Sequence, residues 1–395
     1  MSLLPFDPPR RLLLGPGPSD CHPRVLRAMS APLLGHLDPA FTGLMNQLQD
    51  MLRQAYRTKN PLTMAISATG MAGMECCLVN LLEEGDKIVV CAAGHFGQRM
   101  IEVAGRARAV VTALQAPWGS VFDLNVIRET LGKVRPKVLG IVHAETSTGA
   151  RQPLEELGKL CKEFDTLLVV DAVTSLGCIE LELDRFGIDA VYSCTQKGLS
   201  CPPGLSPISF SEKAADVLRT RKSPVQSWYL DLTLLMKYWG QDRFYHHTAP
   251  ITMNYALHEG LRIVLEEGME NRWKRHKLHH EALKAGLSEL GLAYATEASA
   301  ILPQLNAILI PSGLEDLPVR KAMLEDFGIE IGAGLGDFKG KIWRIGLMGY
   351  NCRKDIVFTV LGALGSVLKR QGWKKDPGAA LAAADKFYQG SGASA

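Results

Sequence analysis

Short apolar runs alternate with amphipathic stretches along the chain up to about residue 265. The runs are Leu62–Ser67, Lys87–Cys91, Ala109–Thr112, Val138–His143, Thr166–Val170 and Ile188–Tyr192. Between them, Met71–Leu82, Gly97–Ala104, Leu124–Leu131 and Leu154–Phe164 read as helices. Strands this short and apolar, separated by helices, predict βαβ units and a mostly parallel sheet covered on both faces. Ligands bind at the carboxyl ends of such strands, so the residues just after each run carry the interest. Leu261, Val264 and Leu265 have the spacing of a buried helix face. From about Glu266 the pattern changes to a charged helix, Glu267–Gly286, followed by the strands Ala307–Ile310, Glu330–Gly332 and Lys341–Gly346 and a helix over Lys354–Arg370. The expected division is an N-terminal arm (1–20), a large domain (21–266), a smaller α+β domain (267–376) and an Ala/Gly/Ser-rich tail (377–395), helical around Ala379–Tyr388 and frayed beyond.

Composition narrows the class without naming a chemistry. In 395 residues, 47% are hydrophobic and 22% charged, an ordinary globular balance that excludes wholesale disorder. Lys and Arg (44) barely exceed Asp and Glu (41), too even a balance for a nucleic acid or an acidic membrane as main partner. The nine cysteines form no CxxC pair, and several sit in apolar runs as small hydrophobes, so a reducing compartment is expected. MSLLPFDPPRR does not read as a signal peptide, and no run approaches the ~20 apolar residues of a membrane span. A cytoplasmic protein is the expectation.

Candidate chemistry lies at the strand ends. Asp171 closes the Thr166–Val170 run, where a carboxylate is costly to bury without a cationic partner; on that run alone an N-cap is as good a reading. Gln196-Lys197 follows Ile188–Tyr192, ahead of the turn Cys201-Pro202-Pro203-Gly204. A lone lysine is usually a solvated group. The pair Asp171 and Lys197, one βα interval apart, alters the odds, because a lysine with an Asp partner is how proteins hold pyridoxal phosphate. Ser67-Ala68-Thr69-Gly70-Met71, between a strand and a helix, could present backbone N–H groups and a hydroxyl to a phosphate, or simply cap the helix. Phe96, in Gly94-His95-Phe96-Gly97-Gln98-Arg99, could stack on a flat ring or be ordinary core. His143-Ala144-Glu145-Thr146-Ser147-Thr148-Gly149 offers hydroxyls at another strand end. Arg344, in Trp343-Arg344-Ile345-Gly346, is an arginine in an apolar strand, suited to a carboxylate.

Other features read more plainly. Tyr245-His246-His247-Thr248 lacks metal-ligand spacing, and adjacent side chains in a helix or strand point apart. Gly332–Gly336 reads as a turn beside the site. Gly15-Pro16-Gly17-Pro18-Ser19 is no dinucleotide fingerprint, since its prolines lack N–H groups. Lys274–Lys277 with His279 and His280 reads as the solvated face of a long helix.

The blocks LLLGPGPS, VNLLEEGD, FGQR, ETSTG, LVVDAV, YSCTQK, PPG, YLDL, YHHT and WRIGLMG together resemble the alanine–glyoxylate and serine–glyoxylate (or serine–pyruvate) aminotransferases. These are class V, fold-type I, pyridoxal-phosphate enzymes. The resemblance runs over nearly the whole chain except the tail. It implies an α/β fold with a seven-stranded, mostly parallel sheet in a large domain and a smaller C-terminal α+β domain. It implies Lys197 as the Schiff-base lysine and proton carrier, and Asp171 as the acid at the pyridinium nitrogen. Thr69, Gly70 and Gln196 match phosphate-binding positions; Met71 and Val173 join them as cofactor-binding positions. Phe96 matches the ring-stacking position and Thr146 the hydroxyl near the ring. Tyr245 and Thr248 match phosphate contacts that the family draws from the other subunit, which implies an obligate homodimer with shared sites. Arg344 matches the substrate-carboxylate clamp, and Gly17 lies where the arm lines the substrate side. The sequence departs from the family in two places: Phe96 stands where animal members often have Trp, and Thr69-Gly70-Met71 where Ser-Gly-His is common.

The resemblance implies ping-pong transamination between a small amino acid, alanine or serine, and a small 2-oxo acid, glyoxylate or pyruvate. The alternatives are a class V lyase or cysteine desulfurase, an aminotransferase with another donor such as ureidoglycine, and a non-enzymatic protein of the same fold. A desulfurase needs a reactive cysteine on a loop, and no such loop is recognisable. His247 stands near a position where ureidoglycine–glyoxylate members are expected to carry an amide.

Overall fold

In a computed structural model, which describes residues 5–391, the expected runs form one mixed sheet. Its strands in chain order are β1 (Leu62–Ile66), β2 (Lys87–Ala92), β3 (Val110–Gln115), β4 (Val138–Val142), β5 (Leu167–Asp171), β6 (Ala190–Tyr192) and β7 (Ser206–Phe210). The spatial order is β1-β7-β6-β5-β4-β2-β3. Six strands share one direction, and β7 runs antiparallel between β1 and β6. All six therefore turn their carboxyl ends to the same edge. The sheet is seven-stranded and mostly parallel, with helices such as Gly70–Leu81 and His95–Arg106 returning between strands.

β7 has no counterpart among the predicted strands. Its sequence, Ser-Pro-Ile-Ser-Phe, places a proline and two hydroxyls in an interior strand, where proline is unexpected. The polar groups are paired: Ser206 Oγ donates to Ser193 O at 2.7 Å, Ser209 Oγ lies 2.9 Å from Thr63 Oγ1, and Pro207 O accepts from the Tyr56 hydroxyl at 2.9 Å.

The chain after the sheet holds a second apolar cluster. Leu283, Leu287, Ile308, Trp343, Ile345, Val357 and Leu361 pack there, and Leu14 of the arm joins them. Its sheet is antiparallel, with Ile342–Gly346 between Leu305–Leu309 and Gly332–Ala333, so that Arg344 sits opposite Ala307 and Gly332. The glycine-rich stretch expected as a turn thus begins as an edge strand. Pro377–Gly390 is a helix that buries Ala380, Ala384 and Tyr388 in the same cluster, whereas the fraying expected at the end of the tail falls largely outside the described residues.

The arm stitches both parts together. Leu12 and Leu13 pair in parallel with Ile329 and Glu330, and Gly346 N donates to Leu14 O at 2.7 Å. Further on, Ser19 N donates to Gln196 O at 2.8 Å and Ser19 Oγ to Lys197 O at 2.8 Å. No helix among the described residues is long and apolar enough to cross a membrane.

The expected solvated face on the Met269–Glu289 helix is corrected in part. Lys274 and Lys277 are exposed and Arg275 is half-buried, but His276, His279 and His280 are buried, as this helix packs against both Lys354–Arg370 and Pro377–Gly390. Its rings find partners: His279 Nδ1 lies 2.8 Å from the Tyr388 hydroxyl and His280 Nδ1 2.8 Å from Asn306 Oδ1. Of the expected buried face, Leu261 and Val264 are fully buried and Leu265 half-buried.

Candidate active site

The carboxyl edge of the sheet brings two buried carboxyls and two buried cations together. Asp171, last residue of β5, accepts from Val173 N and from the Tyr192 hydroxyl, both at 2.8 Å. Burial pushes its carboxyl up to about 7; the hydrogen bonds from Val173 and Tyr192 pull the other way. Lys197 lies beyond the end of β6, 9% exposed, and burial pushes its ammonium below the usual lysine range. Its Nζ donates to Pro16 O, so the arm supplies an uncharged acceptor. A Cβ on Gly17, whose φ is +111°, would overlap Lys197 Nζ, so only glycine lets the arm close this tightly.

Across the site, Arg344 reaches in from the small antiparallel sheet. Its Nε donates to Ala333 O at 2.7 Å and its Nη1 to Thr146 O at 3.0 Å. Burial pulls the guanidinium down to about 10, with Glu145 opposing the shift, so it stays charged at neutral pH. Glu145 is the residue that sequence reasoning did not assign. Its carboxylate accepts from Phe96 N at 3.1 Å, Gly97 N at 3.3 Å, Ser147 N at 3.0 Å and Ser147 Oγ at 2.6 Å. Only the pairing of buried strand ends reveals it, since Phe96 is remote in sequence. Gly94 faces it without a side chain, for a Cβ there would stand 2.6 Å from Glu145 Cδ.

The turn before Gly70–Leu81 forms the third wall. Thr69 is the N-cap, yet its hydroxyl makes no capping bond, so the hydroxyl and the first N–H groups are uncommitted. A Cβ on Gly70 would lie 2.9 Å from Cys194 Cβ and 3.4 Å from Val173 Cγ2, which brings the ends of β1, β5 and β6 together. Met71 and Phe96 are half-buried against the core, Thr146 is buried, and buried Gln196 Oε1 has no hydrogen-bond partner among the described residues. Such an edge can hold an anion at the helix N-terminus, a ring between Phe96 and the Asp171 strand end, and a second anion at Arg344.

Tyr245 and Thr248 stand apart from this group. Both are exposed, and Tyr245 packs on His36 with ring centroids 5.2 Å apart. His246 and His247, expected to point apart, instead bond to each other through Nδ1 at 2.8 Å, because the segment is neither helix nor strand. His247 Nε2 also bonds Ser67 Oγ at 2.7 Å. Eight of the nine cysteines are buried; Cys21 is partly exposed, and burial raises its thiol to about 11, with the Asp20 carboxylate adding to the rise.

The class V aminotransferase family model matches residues 14–357. The chain is 42% identical to (S)-ureidoglycine–glyoxylate transaminase of Bacillus subtilis over 97% of each chain. It is 39% identical to alanine–glyoxylate aminotransferase of Mus musculus, over 92% of this chain and 89% of that one. Among solved structures, alanine–glyoxylate aminotransferase from Nostoc sp. superposes with a TM-score of 0.92 at 50% identity, covering 93% of this chain and 98% of its own. A cysteine desulfurase from Thermococcus onnurineus, at 18% identity and a TM-score of 0.70, shares the fold alone. The chain belongs to the class V aminotransferases, fold-type I enzymes that depend on pyridoxal phosphate.

Proposed function

We propose that the chain transfers an amino group between alanine or serine and glyoxylate or pyruvate, in a ping-pong cycle. The observation that carries this reading is Arg344, a buried, charged guanidinium whose named bonds go to carbonyls, across the site from a desolvated lysine amine. A buried cation bonded only to neutral acceptors favours an anion, and an α-carboxylate fits its fork. The arm closed over Lys197 leaves room for a small substrate better than a large one.

The residues present fit the cofactor. Bound pyridoxal phosphate supplies an electron sink that makes the Cα proton of an amino acid removable. Asp171, whose burial pushes its carboxyl up to about 7, is held as a carboxylate by a cation placed against it and so would keep a ring nitrogen protonated. Thr69, Gly70, Met71 and Gln196 hold the phosphate with groups that have no other work. Phe96 would stack on the ring, and Thr146 and Val173 would complete the residues that hold it. Lys197, whose burial favours the neutral amine over the ammonium, takes the Cα proton and returns it. Gly17 lines the substrate side. Residues 21–266 hold the cofactor, 267–376 bring Arg344, and the arm closes the site through Pro16 and Gly17. Tyr245 and Thr248 would hold the phosphate of a second copy; their exposure, with that of Phe244 and of Trp228, which stacks on His246, supports a homodimer with shared sites.

A second reading, ureidoglycine as donor, is favoured by the Bacillus subtilis relative; the imidazole of His247 favours the first. Following each half-reaction by the cofactor's absorbance, with alanine, serine and ureidoglycine and then glyoxylate and pyruvate, separates them. Conversion by alanine or serine is expected. Conversion by ureidoglycine alone overturns the donor assignment, and no conversion by any amino acid overturns the enzyme reading.

A further inference from the structure

The first turns of the Met269–Glu289 helix grip the backbone behind the site. Arg272, 3% exposed, donates Nε to Gly177 O at 2.8 Å, Nη2 to Gly198 O at 2.5 Å and Nη1 to Glu267 at 2.7 Å. Glu267 also accepts from Arg275 Nε at 2.6 Å, and Arg275 Nη1 donates to Gly349 O at 3.1 Å and Cys352 O at 2.5 Å. His276 completes the grip. Its Nε2 accepts from Gly349 N at 3.0 Å, while Nδ1 bonds Arg272 O at 2.8 Å.

The acceptors follow a pattern. Gly177 lies in the turn that leaves Asp171, Gly198 directly follows Lys197, and Gly349 follows the strand that carries Arg344. The first two turns touch through bare backbone. A Cβ on Gly198 would stand 2.7 Å from Cys178 Sγ and 3.1 Å from the carbonyl carbon of Gly177, and Gly177 has φ +77°. A guanidinium is a rigid planar fork, so two carbonyls on one fork cannot slide past each other without losing a bond.

We propose that Arg272 is a positioning residue for transamination: it locks the turn after Asp171 to the turn carrying Lys197 and so fixes where the Lys197 amine stands against Asp171. Glu267 and Arg275 extend the lock to the segment behind Arg344. This rests on the roles proposed for Asp171 and Lys197.

Arg272→Lys tests it, since an ammonium keeps the charge facing Glu267 but lacks the fork. In folded R272K holoenzyme the limiting rate of the amino-acid half-reaction is expected to fall about ten- to a hundredfold. The apparent amino-acid dissociation constant should stay within about threefold, because Arg344 keeps its own carbonyls. Cofactor-free R272K should also capture pyridoxal phosphate more slowly, read by absorbance. A limiting rate within about twofold of the parent overturns the proposal, whatever the change in Tm. If R272K does not fold, Glu267→Gln keeps the fork and loosens its anchor; a limiting rate at least threefold lower with the same split supports the lock, and any smaller change overturns it. Lys197→Ala is run in parallel: a normal rate there overturns the function reading itself, whereas a normal rate in R272K alone overturns only the lock.

Discussion

Lys197 and Arg344 are buried cations on opposite sides of one site, and the same desolvation does different work on each. Lys197 rests on Pro16 O, and Arg344 on Ala333 O and Thr146 O. Each has a buried carboxyl in its field, Asp171 for the lysine and Glu145 for the arginine. Burial weakens the amine's hold on its proton and so favours its basic, neutral form. A guanidinium pulled down to about 10 keeps its charge at neutral pH. One environment thus yields a proton carrier and an anion clamp because the two side chains differ in intrinsic basicity.

Removing the amine breaks the comparison most severely. Lys197→Ala should cut the single-turnover rate by about a hundred- to ten-thousandfold, and borohydride should no longer fix the cofactor to the peptide containing position 197. Next in size is the effect of Asp171 on cofactor-free protein. Its folded value of about 7 lies above the unfolded carboxylate value, so between these the folded state binds more protons than the unfolded state. Stability therefore falls as pH rises from about 4 to 7, by at most about 4 kcal/mol. Asp171→Asn should flatten that slope in urea titrations at pH 5 and 7.5, and slow Cα proton removal strongly when the cofactor is present. An unchanged slope would place the titration elsewhere.

On the other wall, Arg344→Ala should lower kcat/KM for amino acids about a hundredfold while cofactor capture stays normal. Arg344→Lys should recover only part of this, because an ammonium cannot reproduce the fork. If capture is lost and amino-acid kinetics per bound cofactor are normal, the arginine serves the cofactor instead.

The two walls were unequally legible in the sequence. Asp171 and Lys197 stand at the ends of apolar runs, where hydrophobic pattern and chemistry coincide. Arg344 showed as a charge inside an apolar strand. Glu145 and Arg272 gave no such signal, since the partners that tie them to the site are backbone groups far away in sequence: Phe96 N and Gly97 N for the first, Gly177 O and Gly198 O for the second. The charged run after Glu267 has the composition of a solvated face, and packing against Lys354–Arg370 and Pro377–Gly390 turns its histidines inward. β7 escaped because a proline and two serines conceal a strand whose polar atoms are all satisfied by neighbours.

Glu145→Gln sharpens the contrast with the smallest change. The carboxylate has four donors aimed at it, from Phe96, Gly97 and Ser147, and none of them can be returned by an amide NH2. Turning the amide puts its NH2 against either the Ser147 pair or the Phe96 and Gly97 N–H groups, and the packing against Gly94 leaves no side exit. The variant should therefore lose about 1–3 kcal/mol of stability, measured by urea unfolding of the cofactor-free chain. It also removes a carboxyl that lies in the field of Arg344, leaving the guanidinium's charge to a substrate carboxylate alone. Amino-acid affinity in Glu145→Gln should then rise, read as a lower apparent dissociation constant in the amino-acid half-reaction. If stability falls while that affinity stays put, Glu145 orders Phe96 and Ser147 without tuning Arg344, and the electrostatic kinship of the two walls ends at Asp171.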